Sequence, residues 1–186
     1  PKVKGVSVVG ASATCRTVAA QCARNGKRFQ GQGGAKNHLV VMPDARMDRA
    51  VANAITSCYG CAGQRCMAVS AIVAVGDSVH SNLCEQFIAA SKDVVVGDPL
   101  DPRHADLPMV MGSVVSAKAK EFILRMIETG AREGATLALD GRRAKAAEGE
   151  RGHFVGPTVF TDVKPGTAIH RAEIFGPVVV VLKAES

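Results

Sequence analysis

The chain of 186 residues is 47% hydrophobic and 22% charged, which is ordinary for a folded globular protein and enough to build a sizeable core. A net charge of +6 invites a nucleic-acid reading. However, the basic residues are scattered, with Arg142, Arg143 and Lys145 the densest group, and one Tyr and six Phe offer little for base stacking. The longest apolar runs, such as 178–182, are far too short to span a bilayer, and the six cysteines fit a reducing compartment better than a secreted disulfide framework.

In chain order, Gly5 to Val9 predicts a short buried strand, and Gly10-Ala11-Ser12-Ala13 opens a helix running to about Arg24. Strand, glycine turn and helix N-terminus together form a possible phosphate cradle, because first-turn N–H groups and the helix dipole favour an anion. A plain strand-to-helix connection fits the pattern equally well. Lys27 to Gln32 and Leu39 to Met42 predict two further strands, ended by Gly33-Gly34 and by Pro43-Asp44. Asp44 or a neighbour is expected to cap a helix whose apolar face is Met47, Val51, Ala54, Ile55 and Cys58.

Ser70 to Val75 predicts a buried strand, Ser78 to Lys92 a helix, and 97–111 a connection rich in Pro and Asp. Ala119, Phe122, Ile123, Met126, Ile127 and Gly130 mark the stripe of a strong helix, followed by a strand at Thr136 to Leu139. The polar stretch 141–153 is expected as a surface loop, and the last strands lie at 156–160 and 178–182. Alternating strands and helices predict an α/β sandwich with a largely parallel sheet.

Between the second helix and the strand at 70 stands Gly63-Gln64-Arg65-Cys66-Met67. A thiol at such a junction can open onto a cleft while nearby backbone N–H groups stabilise charge on a reacting oxygen. The adjacent Arg65 favours the thiolate by its charge and carries the fork that binds a carboxylate. Cys58 and Cys61 form a C-x-x-C pair, but no second pair follows at zinc-ligand spacing. Packing is therefore the expectation, with no metal site.

Gly-Gln-Arg-Cys-Met-Ala, preceded by Gly-Gly-Ala-Lys-Asn-His-Leu-Val-Val-Met-Pro-Asp at 33–44 and followed by Glu-Ile-Phe-Gly-Pro-Val at 173–178, resembles the aldehyde dehydrogenase superfamily. Gly-Ala-Lys-Asn-His and Cys-Met-Ala are similar to its CoA-acylating methylmalonate-semialdehyde branch. The resemblance covers essentially the whole chain and implies an internal segment of a longer protein. It implies a three-layer α/β sandwich, with 1–34 ending the NAD-binding domain and 35–186 forming most of the catalytic domain.

In that family the thiolate matching Cys66 attacks the aldehyde carbon, a hydride leaves to NAD⁺, and a thioacyl-enzyme remains. The resemblance further implies that Arg65 binds the substrate carboxylate and that Gly10 and Ser12 meet the cofactor. Glu173 matches the group that hydrogen-bonds the nicotinamide ribose, and Phe175 the ring beside the nicotinamide. Asn37 and His38 match no catalytic group, so turn hydrogen bonding is expected of them. The asparagine that completes the family's oxyanion hole lies upstream of this chain.

Hydrolytic relatives usually carry a glutamate at the head of Glu-Leu-Gly-Gly to activate water, where this chain reads Gly31-Gln32-Gly33-Gly34. Without that base a gain of about 10²- to 10⁴-fold in hydrolysis is forfeited. The thioester is left to a thiol such as coenzyme A, which is far more ionised than water.

Two departures stand out in the first turn: Ala11 lacks the family's hydroxyl, and Cys15 occupies the place of a glycine. The implied reaction is oxidation of malonate or methylmalonate semialdehyde to acetyl- or propionyl-CoA with loss of CO2, by a homotetramer. The implied compartment is the mitochondrial matrix, or the cytoplasm for a bacterial source; a targeting peptide would precede Pro1. The alternatives are a hydrolytic enzyme that releases a free acid, and a segment that is inactive when isolated.

Overall fold

The computed structural model describes residues 2–144, 146 and 152–185 and divides into two units, Pro1–Ala35 and Lys36–Ser186. The first is a single βαβ element. Strand β1 (Gly5–Val9) lies parallel to β2 (Arg28–Gln32), with Val6 opposite Phe29 and Val8 opposite Gly31. Helix α1 (Ser12–Arg24) connects them and buries Cys15 and Cys22, two turns apart and so on one face. Gly26, at φ +59°, ends the helix: its N–H donates to Ala23 O and that of Lys27 to Cys22 O, which satisfies carbonyls the helix leaves open.

The second unit is built on a five-stranded sheet. Its strands are β3 (Asn37–Val41), β4 (Val69–Val75), β7 (Thr136–Leu139), β8 (Thr158–Thr161) and β9 (Val178–Ala184), in the order β3-β4-β9-β8-β7. All neighbours are parallel except β7 and β8. In β9 the run Val178–Leu182 is buried at every residue, as a central parallel strand covered on both faces requires.

Helix α2 (Met47–Tyr59) links β3 to β4 and α3 (Asp77–Lys92) follows β4; the two helices pack together, with Tyr59 stacked on Phe87 at 6.0 Å. The buried Tyr59 hydroxyl is satisfied by Ser91 Oγ at 3.1 Å. Helix α4 (Ala117–Arg132) starts at Ser116, whose side chain caps Ala119 N, and buries Ile123, Ile127 and Gly130 of the predicted stripe.

Five expectations change. Strand β1 forms where predicted but buries none of its residues, Val9 being 68% exposed. Helix α2 begins with Arg46 at the capping position and no side-chain cap, so Asp44 does not serve; Asp48 in the first turn complements the helix dipole and pairs with Arg46 instead. The connection 97–111 carries a 3₁₀ turn at Pro102–His104, and its last two residues form β6 (Val110–Met111), parallel to β5 (Val95–Val96). The stretch 141–153 begins inside the fold: Gly141 is buried, its N–H donates to Thr158 Oγ1 at 3.1 Å, and its carbonyl accepts from Gly156 N at 2.8 Å. Lys145 and residues 147–151 of that stretch lie outside the described residues. A four-residue helix α5 (Ala168–Arg171) was not predicted, and it buries Ile169.

Candidate active site

The C-terminus of α2 leads into a tight loop. Cys61 (φ 52°), Ala62 (φ 53°) and Gly63 (φ 72°) follow one another in the left-handed region, a conformation that costs each non-glycine residue about 1–3 kcal/mol. Surrounding bonds hold it. Gln64 N and Nε2 both donate to Cys61 O, and Gln64 Oε1 accepts from Val115 N at 2.9 Å. Ala68 N donates to Arg65 O at 3.0 Å, which closes a turn with Cys66 and Met67 at its tip. Val69 then enters β4, its N–H bonded to Ser57 Oγ of α2 at 3.1 Å.

Cys66 is a free, exposed thiol on this turn. Its carbonyl is gripped from the sheet: Asn37 Nδ2, at the start of β3, donates to Cys66 O and to Ala68 O, both at 2.9 Å. The loop is also pinned from the other side. A Cβ on Gly63 would stand 2.4 Å from Gly176 O, so the Glu173–Val178 segment lies directly against it. Gly176 in turn leaves no room for a Cβ, which would meet the buried Ile123 side chain at 2.5 Å.

Arg65 folds back over the end of α2. Its Nη2 donates to Thr56 O at 2.6 Å and Ser57 O at 3.0 Å, placing a cation at the negative end of a helix with no basic residue in its last turn. Beside it opens a depression of about 290 Å³ lined by Asn53, Thr56, Ser57, Arg65 and Met67. Arg65 and Cys66 thus share one turn, and the guanidinium sits in the wall of an open hollow.

Phe175 is 45% exposed and held at φ 54°, between the buried Ile174 and Gly176. Glu173, half-buried, lies close enough to Lys36 to act on its charge. Lys36 was not singled out from the sequence. Its ammonium donates to Ile169 O at 2.9 Å and Ala172 O at 3.1 Å, tying β3 to the residues just before Glu173. Burial lowers its pKa to about 8, against the opposing pull of the Glu173 carboxylate. Neighbouring residues Lys36 and Asn37 therefore hold the two segments of the site, one on the 169–172 backbone and the other on the Cys66 turn. His38, expected in turn bonding, places Nδ1 2.9 Å from Lys36 O.

The remaining cysteine pair is split by environment. Cys58 is in the core, where burial pushes its thiol up to about 12, and Cys61 is exposed; both are free. Among the described residues no group of three or more His, Cys, Asp or Glu is placed to hold a metal.

Gly10 and Ser12 belong to the first unit. A Cβ on Gly10 would meet nothing within 4 Å, and no acidic residue occupies the first turn of α1. Ser12 Oγ accepts from Gly34 N at 3.0 Å, so the hydroxyl keeps its own hydrogen to donate. At Gly31 a Cβ would stand 2.5 Å from the Phe29 ring and 3.4 Å from Cys15 Cβ. Position 31 lacks a carboxylate, and Phe29 fills the space one would start from.

The aldehyde dehydrogenase family profile matches residues 1–186. The chain belongs to the aldehyde dehydrogenase family. It is 45% identical over 98% of its length to malonate-semialdehyde dehydrogenase 2 of Geobacillus thermodenitrificans, covering 36% of that protein. It is 40% identical over its whole length to the acylating, mitochondrial methylmalonate-semialdehyde/malonate-semialdehyde dehydrogenase of Rattus norvegicus, covering 34% of it. Betaine aldehyde dehydrogenase of Staphylococcus aureus, solved with NAD⁺, superposes with a TM-score of 0.91 at 30% identity, over 99% of this chain and 35% of that one. The chain therefore spans about a third of the length of the curated relatives it matches. Its mixed α/β architecture is that of the family fold, and among the described residues no helix is long and apolar enough to cross a membrane.

Proposed function

We propose that the protein at the length of its relatives oxidises malonate or methylmalonate semialdehyde and passes the acyl group to coenzyme A, with loss of CO2. The observation that carries this reading is the exposed Cys66 thiol on the same turn as the Arg65 guanidinium, which borders an open hollow. In the proposed reaction the Cys66 thiolate adds to the aldehyde carbon while Arg65 holds the carboxylate. Bound NAD⁺ supplies the hydride acceptor that converts the adduct to a thioester. The carboxylate of that malonyl-type thioester leaves as CO2, its C–C bonding pair passing into the thioester enolate, which takes a proton from water. The thiolate of coenzyme A then attacks the shortened thioester, a C–S bond forms as the bond to Cys66 Sγ breaks, and Cys66 is released as thiolate.

The residues present fit such a cofactor. In the second unit, Glu173 is an acceptor suited to paired ribose hydroxyls and Phe175 offers an exposed ring; in the first unit, taken by itself, the first turn of α1 presents N–H groups and carries no acidic residue. NAD⁺ bound to the Staphylococcus aureus structure supports the choice. Transfer to coenzyme A, rather than to water, is supported by the ring that closes position 31 and by the acylating activity in the name of the rat relative. Assembly as a homotetramer is part of the proposal and is checked by light scattering. Compartment follows source: the mitochondrial matrix, in line with the mitochondrial rat relative, or the bacterial cytoplasm.

Intact-mass analysis of the full-length protein with semialdehyde and NAD⁺ but no coenzyme A tests nucleophile and acceptor together. An adduct on Cys66 that persists until coenzyme A is added is expected. Rapid discharge by water alone would mark a hydrolytic enzyme.

A further inference from the structure

Gly60 closes α2 at φ −54° and ψ 132°, a backbone conformation open to any residue, so the turn itself does not ask for glycine. Space does. A Cβ at position 60 would stand 2.4 Å from Nη2, 2.8 Å from Cζ and 3.2 Å from Nη1 of Arg65. The guanidinium lies in the volume that any other side chain there would fill.

From that place Nη2 spends both its hydrogens on Thr56 O and Ser57 O, which leaves the other N–H groups of the same rigid plane for a ligand. The hollow lined by Asn53, Thr56, Ser57 and Met67 is where such a ligand would stand. We propose that Gly60 is a specificity-determining position: its missing side chain seats the Arg65 guanidinium against the end of α2 and so sets the preference for aldehydes that carry a carboxylate. This rests on Arg65 binding that carboxylate, as proposed above.

The obstruction is of a particular kind. At Gly63 an added methyl meets backbone, and at Gly176 a buried isoleucine, but at Gly60 it meets the far end of a flexible side chain. Gly60→Ala therefore moves Arg65 and leaves α2 in place.

The test uses the full-length enzyme with malonate semialdehyde and with propanal, its uncharged counterpart. Binding of 3-hydroxypropanoate, an unreactive analogue that keeps the carboxylate, is measured by calorimetry. Gly60→Ala is expected to raise the KM for malonate semialdehyde and the Kd for 3-hydroxypropanoate about tenfold, the scale of a lost charge-assisted hydrogen bond. The kcat falls less than KM rises, so the preference over propanal shrinks.

Arg65→Leu is expected to remove at least as much preference, and adding Gly60→Ala to it removes no more, because the glycine acts only through the arginine. Equal losses on both aldehydes would make Gly60 merely structural and overturn the proposal. So would an unchanged preference in Gly60→Ala beside a lost one in Arg65→Leu, which would leave the carboxylate role of Arg65 standing. An unchanged preference in Arg65→Leu would remove that role and this inference with it.

Discussion

Two glycine turns of this chain, each between a strand or helix and the next element, differ in what surrounds them. Around Gly10, between β1 and α1, an added methyl would meet nothing within 4 Å. In the loop that carries Cys66, Gly63 is closed by the backbone of Gly176 at 2.4 Å, and Gly176 by Ile123 at 2.5 Å. The crowded glycines lock two segments distant in sequence into one site, so changes there act first on the fold. The open glycine yields no side-chain space to any described residue, so a demand for glycine there points to something that lies against it from outside, such as a ligand.

The largest effect is therefore expected at Gly63→Ala, which needs a left-handed φ and drives a methyl into backbone that cannot retreat. Strain and overpacking together cost about 3 kcal/mol or more, read as a fall in the thermal midpoint or loss of soluble protein. Gly176→Ala meets a side chain instead and is expected to cost about 2 kcal/mol. If the two variants tolerate heat as wild type does, the segments are not interlocked.

Next in size is the grip of Asn37 on the Cys66 turn. Asn37→Ala loses two donated hydrogen bonds, about 1–2 kcal/mol in urea denaturation. Asn37→Asp is expected to be worse than Ala, although it is closer in shape. An ionised carboxylate cannot donate and would face two carbonyl oxygens. A variant series in which Asp is milder than Ala would show that the carbonyls are not held by this amide.

Much of this architecture is written in local pattern. The stripe from Ala119 to Gly130 repeats at helical spacing through most of the sixteen-residue α4, and the apolar run of β9 marks a central strand. Elements too short to show a period were not legible: the paired dipeptides β5 and β6, and the four residues of α5. In the site, Cys66 and Arg65 stand out because their chemistry is local to one motif. Lys36 and Asn37 do not, because their partners lie 133, 136, 29 and 31 residues away, and only the closed sheet brings those carbonyls to them. The steric lock on Gly60 was hidden for the same reason, since a glycine after a helix reads as an ordinary terminus.

Lys36 gives a smaller and pH-dependent effect. Its folded pKa of about 8 lies below the value of 10.5 expected of an exposed lysine. Between these values the unfolded chain holds a proton that the native chain has released, so this group makes stability rise with pH there. The slope is at most about 1.4 kcal/mol per pH unit. Below pH 8 both states are protonated and the contribution is flat. Lys36→Met is expected to remove the slope, which appears as a difference between variant and wild-type midpoints that grows from pH 8 to pH 10. A constant difference would mean that Lys36 titrates as a solvated lysine.

Gly10→Ala is expected to do least to the fold and most to separate the two turns. With open space around the methyl, stability should stay within about 0.5 kcal/mol of wild type. A phosphate held close to the backbone at Gly10 to Ser12 would have to back away from the same methyl, which weakens NAD⁺ about tenfold in a fluorescence titration of the full-length protein. Intact stability with weakened cofactor would place the demand on Gly10 outside the protein. Unchanged affinity would instead leave this turn a simple connection between β1 and α1, and would move the cofactor's phosphates to residues beyond these 186.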